Sequence, residues 1–475
     1  MGRTLTARNP RTGERDHSFA VLEGVDLETE ALRLRGNQRA WEAAGVEARC
    51  AALQAFKGAL LAGIGPIAAA LEADTGRRKI AAMEVYGVAG GIDAWCAQAP
   101  HLTPSAWKDG ITNPAIRHRV QWVPYPLVGV ISPWNFPLLL SFIDAVPALA
   151  AGCAVVIKPS EVTPRWIEPV RMALAQVPQL AGVLAFAPGD GATGAAVIGE
   201  VDAVAFTGSV ATGKKIAAAC AARMIPAFLE LGGKDPLIIT ATADLDAAVN
   251  AALRGSVLST GQACQSIERI YVQRPLYEPF VERLVAEAGK AQLNWPDIGS
   301  GEIGPLIFDR QAAIIESHIA DAVAKGATVR CGGAIETHGG GLWIRPTVLT
   351  GVDHTMKVIT DETFGPVMPV MAFDGIAEAI TLANATDYGL SAAVIAGTLE
   401  EAEAIGRELE AGAVSLNDAA LTALFYEAPH ESFKLSGMGR SRMGAPGLQR
   451  FLREKALIAQ TAMPAPLAAF SEAAA

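Results

Sequence analysis

The sequence predicts an α/β protein built on parallel sheets and divided into more than one domain. Three observations carry this. Short β-branched runs alternate with Ala- and Leu-rich helical stretches along the chain, and parallel strands need such helical crossovers. The chain has 475 residues, more than a single core usually serves. Hydrophobic residues make up 51% of it and charged residues 19%, a balance that fills a large core and does not suit a disordered chain.

The elements follow in order. From Asp26 to Asp74 the Ala, Leu, Arg and Glu content reads as helices. Val128–Ile131, set between Pro126 and Pro133, reads as a strand. A helix over Leu140–Ala151 leads to a second strand at Ala154–Ile157. Leu184–Phe186 and Ala203–Phe206 are the next strands, and Gly208 precedes a helix from about Lys214. The second half repeats the style, with strands at Ile238–Ile239, Ile270–Val272, Thr328–Arg330, Val367–Ala372, Ala393–Ala396 and Ala413–Leu416. Helices such as Ile376–Ala383 and Leu399–Leu409 fill the gaps. There is no solenoid-like repeat. The Ala- and Pro-rich end from Met463 to Ala475 is expected to fray. In sheets of this kind ligands bind at the carboxyl ends of the strands.

Composition narrows the function. Net charge is −10 with the two signs interleaved, which argues against a nucleic-acid partner. Mean hydropathy is +0.28, but the most apolar stretch, Val120 to Ile157, is broken by Pro124, Pro126, Pro133, Pro137, Asp144 and Pro147. It cannot run as one spanning helix, so no membrane is expected. The first residues lack the apolar core of a signal peptide, and a cytoplasmic protein is expected. The six cysteines, Cys50, Cys96, Cys153, Cys220, Cys264 and Cys331, show no CxxC or Cys/His spacing, which argues against both a disulfide framework and a bound metal.

Five segments carry chemistry. The run from Phe206 to Gly213 (FTGSVATG) follows a strand and opens a helix, where Gly208 allows a tight turn and Gly213 close packing. A helix start there can hold a pyrophosphate, although an ordinary strand-to-helix turn reads the same way. In 155–161 (VVIKPSE), Lys158 and Glu161 sit where a strand ends and can reach a ribose; a solvated charge pair is the plain alternative. Pro133 and Pro137 bracket Trp134, Asn135 and Phe136 in a rigid loop that fixes the Asn135 amide, a group suited to stabilising an oxyanion. Glu230 lies among Leu229 and Leu231 ahead of Gly232, and partial desolvation among leucines moves a carboxylate toward the range useful for a base. Cys264 stands in a Gly- and Ser-containing segment with Arg269 near in sequence to help set its potential, unlike Cys153 in its apolar run.

Together these segments resemble the aldehyde dehydrogenase superfamily. The motifs occur in order: PWNFP at 133–137, KPSEVTP at 158–164, FTGS at 206–209, LELGGK at 229–234, GQAC at 261–264, ETFGPV at 362–367 and NATDYGLSAAV at 384–394. The resemblance runs from Asn9 to Arg440, nearly the whole chain. It implies Cys264 as nucleophile, Glu230 as general base, and Asn135 with the Cys264 backbone N–H as the oxyanion site. It implies NAD as cofactor, with NADP as the weaker alternative. Lys158, Ser160 and Glu161 would hold the adenosine ribose, and Thr207, Gly208 and Ser209 the pyrophosphate. Ser132, Pro133, Trp134, Leu231 and Gly232 would line the cofactor side, with Glu362 and Phe364 on the nicotinamide end. Phe136, Leu139, Leu140, Ile143, Ala263 and Gln265 would line the substrate side. None of these substrate-side residues is cationic, which favours a hydrophobic or aromatic aldehyde.

The resemblance also implies an architecture. Residues 1–109 and 126–232 would form a Rossmann-like cofactor domain and 233–432 a catalytic domain. Residues 110–125 and 433–475 would form a β extension that pairs subunits into a homodimer or homotetramer. One departure is visible: the family's Pro-Phe-Gly-Gly stretch is replaced by 428–434 (APHESFK), so substrate-side loops are expected to differ. Glu230 opposes a CoA-acylating reaction. A semialdehyde dehydrogenase and a catalytically silent binding protein of the same fold are the other readings.

Overall fold

The computed structural model describes residues 2–102 and 105–472. Two sheets organise it. The first has six strands in the order Gly437–Met438, Ala227–Glu230, Ala203–Thr207, Leu127–Ile131, Ala154–Lys158 and Leu184–Phe186. All its pairs are parallel except the edge pair that joins Gly437 to Glu230. The second has seven strands: Thr328–Cys331, Thr347–Thr350, Val367–Phe373, Ile267–Gln273, Asp235–Ile239, Ser391–Ile395 and Ala413–Leu416. It too is parallel apart from its first pair. The central strands are buried from end to end, as parallel strands covered by helices on both faces must be.

Most expected elements are present, with boundaries shifted for identifiable reasons. The helix expected from Leu140 starts at Pro137, because proline at the first helical position loses no hydrogen bond. The helix expected from about Lys214 starts at Val210, where the Ser209 side chain accepts from the Thr212 N–H and caps it. The helix expected to reach Leu409 stops at Gly406. Four long helices, Arg78–Gln98, Leu245–Val257, Arg274–Ala288 and Arg310–Ala324, were not assigned from the sequence.

A third sheet stands apart. Ile116–Pro124 pairs antiparallel with Leu452–Gln460 along its whole length and with Lys108–Asp109 at one end. Its residues are mostly exposed or half-exposed. The end expected to fray carries one exposed helical turn at Leu467–Phe470, and its residues 473–475 lie outside the described ones. Among the described residues no single helix is long and apolar enough to cross a membrane.

Candidate active site

A groove of about 740 Å³ runs along the carboxyl ends of the first sheet, within the range of small-molecule sites. Every residue expected to touch a cofactor lines it: Ser132, Pro133 and Trp134; Lys158, Ser160 and Glu161; Thr207, Gly208 and Ser209; Leu231 and Gly232; Glu362 and Phe364. Asn135 and Cys264 line its inner end. The Ser209-capped helix points its free N–H groups at the groove, a place for a phosphate. Lys158 Nζ bonds Glu161 Oε2 at 3.0 Å at the end of its strand.

The glycines here serve close approach. A Cβ on Gly208 would stand 2.4 Å from the Phe206 ring, one on Gly213 2.5 Å from Leu231, and one on Gly232 2.6 Å from the Glu362 carboxylate. The chain turns at Gly208 from the strand that ends at Thr207 to the helix that starts at Val210, without a positive φ, and close packing is the further reason for glycine there. Trp134 packs edge-on against Phe364 with ring centres 5.4 Å apart.

The loop carrying Cys264 is held by its backbone. Ser259, Thr260 and Gly261 all adopt positive φ, at 59°, 60° and 67°. For two non-glycine residues this is strained and survives only where the surroundings impose it. The surroundings are explicit: Thr260 donates to Gly304 O at 3.0 Å, and a Cβ on Gly261 would collide with Gly365 at 2.3 Å. Gln262 is fully buried, donates to Ser259 O and Pro305 O, and accepts from the Ile307 N–H. Its carbonyl accepts from Asn135 Nδ2 at 3.0 Å. That leaves the second Asn135 amide hydrogen available, and among the described residues the Cys264 N–H meets no acceptor.

Burial pushes the Cys264 thiol up to about 12, and the nearby Asp235 adds to this while Arg442 works against it. Glu362 is raised to about 8 by burial and by Glu268, and Asp235 to about 8 by burial, partly offset by Ser391.

Several residues that matter here carried no assignment from the sequence. Lys234 and Glu268 form a buried ion pair at 2.6 Å, and Glu268 accepts the Thr363 and Phe364 N–H groups, fixing the turn that carries Glu362 and Phe364. Arg77, buried, donates to the Asn135 carbonyl and lies over the Phe136 ring, 4.8 Å from its centre. Glu84 Oε2 accepts the N–H groups of Leu138 and Leu139, bracing the same loop from the next helix. The signal for Lys234 and Glu268 was a charge at the edge of or within an apolar run; it was not used.

Arg269 corrects an expectation. It does not face Cys264: it is buried and donates to the carbonyls of Lys234, Leu382 and Ala383. The cation near Cys264 is Arg442, whose Nε lies 3.7 Å from Glu230 Oε1. Glu230, expected among leucines, thus has a guanidinium for a neighbour. Its backbone is stapled by Gly208 N–H to Glu230 O, while Ser436 takes the Leu231 N–H on its carbonyl and donates its hydroxyl to Gly232 O.

On the other side of the loop, Phe136, just before the helix, and Leu139, Leu140 and Ile143 on one face of it are half-buried. Gln265 accepts from the Thr422 hydroxyl at 2.9 Å, which brings the 419–426 segment over the nucleophile loop. Leu424, Phe425 and Tyr426 beyond it are exposed. Among the described residues no three His, Cys, Asp or Glu side chains are placed to hold a metal ion.

The family model for "Aldehyde dehydrogenase family" matches residues 2–457. The chain belongs to the aldehyde dehydrogenase family. Its activity is accordingly that of an aldehyde dehydrogenase, an oxidoreductase. A putative aldehyde dehydrogenase, PutA, from Anabaena variabilis superposes with a TM-score of 0.95 at 51% identity, covering 98% of this chain and 99% of that one. Betaine aldehyde dehydrogenase from Staphylococcus aureus, solved as a point mutant with NAD+, gives 0.91 at 31% identity over 99% of this chain and 96% of that one. A putative succinate-semialdehyde dehydrogenase [NADP(+)] of Mycolicibacterium smegmatis is 37% identical over 93% of this chain and 86% of its own length.

Proposed function

We propose that this aldehyde dehydrogenase oxidises an aldehyde to its free carboxylate with NAD, through a covalent adduct on Cys264. The observation that carries this is that Cys264 and Asn135 both line the groove, with Glu230 near enough to Cys264 for its charge to act on the thiol. The groove's glycine cradle, helix start and Lys158–Glu161 pair fit a dinucleotide. When bound there, NAD supplies a hydride acceptor.

The chain's own residues do the rest. Sulfur bonds to the aldehyde carbon as the Cys264 thiol gives up its proton to solvent, which leaves Glu230 ionised for the later step. The new oxyanion takes the spare Asn135 amide hydrogen and the Cys264 N–H. Loss of hydride leaves a thioester. Glu230 then removes a proton from water as its oxygen adds to the thioester carbon, and the carboxylic acid departs as the thiol returns.

Replacing Glu230 by Gln tests this reading. A single-turnover burst of NADH followed by stalling is expected, with the later rate lower by about 10²–10⁴-fold. Normal turnover would remove Glu230 from the mechanism. The uncharged substrate-side face supports a hydrophobic or aromatic aldehyde. The relative named for succinate semialdehyde favours a carboxylated one as the second reading, and rates across aliphatic, aromatic and carboxylated aldehydes separate the two. The division at 1–109 with 126–232, 233–432, and 110–125 with 433–475 is our domain assignment. The exposed third sheet is our candidate for subunit pairing in a homodimer or homotetramer.

A further inference from the structure

Arg442 is buried in the loop between the edge strand Gly437–Met438 and the helix Gly444–Gln449. Its Nη2 donates to Asp144 Oδ2 at 2.8 Å and to Thr207 Oγ1 at 2.6 Å. Its Nε is also buried, has no hydrogen-bond partner, and stands 3.7 Å from Glu230 Oε1. The other carboxylate oxygen, Glu230 Oε2, accepts from the Ser432 hydroxyl at 3.1 Å. Ser432 belongs to 428–434, the segment where the sequence departs from the family pattern.

The charges balance in one way only. Arg442 and Arg450 both donate to Asp144, so two buried cations share one buried carboxylate. The second negative charge facing Arg442 is Glu230. The groups that face the Glu230 carboxylate are Arg442, Arg450, the Cys264 thiol and the Ser432 hydroxyl. An unpaired buried guanidinium is unfavourable, so the cluster is complete when Glu230 is ionised.

We propose that Arg442 and Ser432 are positioning residues that clamp Glu230 as an oriented anion for thioester hydrolysis. This rests on Glu230 being the base, which the Glu230→Gln burst experiment tests by itself. Neither Arg442 nor Ser432 lines the groove; they act through Glu230.

The test compares Arg442→Met, Arg442→Lys and Ser432→Ala with the unmodified enzyme. NADH burst amplitude, the rate after the burst and the KM for aldehyde are measured, with melting temperature as a check on folding. Asp144 keeps Arg450 when Arg442 is changed, which favours a folded variant. Arg442→Met should keep the burst amplitude and the KM and lower the post-burst rate by about tenfold or more, since a misplaced base loses much of its effect. Arg442→Lys should restore most of that rate. Ser432→Ala should lower it by about fivefold with the burst kept. A folded Arg442→Met enzyme with an unchanged post-burst rate, or with a burst amplitude that falls in the same proportion, overturns the proposal. If Arg442→Met does not fold, Ser432→Ala decides, and an unchanged post-burst rate overturns it.

Discussion

Changing Glu84 to Gln should alter stability in a pH-dependent way, because Glu84 is a buried acid bracing the helix start beside Asn135. Its Oε2 accepts two N–H groups from the first turn of Pro137–Ala151, at 3.0 Å each, while its Oε1 is buried without a partner. Burial raises it from 4.5 to about 7, opposed by the neighbouring Arg77. A group whose folded value lies above its unfolded one binds protons more tightly when folded. Its contribution is therefore full below about pH 4.5 and is lost as pH rises through about 7. The shift corresponds to about 3 kcal/mol, of which about 2–3 kcal/mol falls between pH 5 and pH 8. Glutamine keeps an acceptor for the two N–H groups and does not ionise. Relative to the unmodified protein, Glu84→Gln should thus gain about 2–3 kcal/mol on going from pH 5 to pH 8. Urea unfolding of both proteins at both pH values measures this, and contributions from all other groups cancel in the difference. A gap between the two proteins that is the same at pH 5 and pH 8 would refute the reasoning.

Three further outcomes follow from the site. Cys264→Ala should abolish aldehyde oxidation, while Cys153→Ala and Cys331→Ala should not, since Cys264 lines the groove and neither of the others does; activity assays of the three variants decide it. Unmodified enzyme should prefer NAD over NADP by about tenfold or more if Glu161, which lines the groove, holds the adenosine ribose as proposed, and Glu161→Ser should narrow the gap in kcat/KM. Gly213→Ala should weaken NAD binding by about tenfold in a fluorescence titration, because its Cβ would push on Leu231 at 2.5 Å, beside Glu230.

The sequence by itself determined the alternation of strands and helices, and with it the parallel sheets and the end of the sheet where ligands bind. The residues that line the groove were legible through the resemblance of short contiguous motifs, not through local chemistry alone. FTGS is an example: Gly208, Ser209 and the start of the next helix are contiguous and so survive as a motif, yet by themselves they also read as an ordinary strand-to-helix turn. Tertiary structure alone decided what surrounds the reacting groups. Asp144 could be seen interrupting an apolar helix, but its partners lie almost 300 positions away at Arg442 and 306 away at Arg450. Arg269, five positions from Cys264 in sequence, turns away from it, while Arg442, far along the chain, faces it. Electrostatic environment depends on distance through space and on burial, and neither is a property of a local segment. The loop strain at Ser259 and Thr260 was hidden for the same reason: nothing in their side chains asks for positive φ, and only Gly304, Gly365 and Pro305 closing around them impose it.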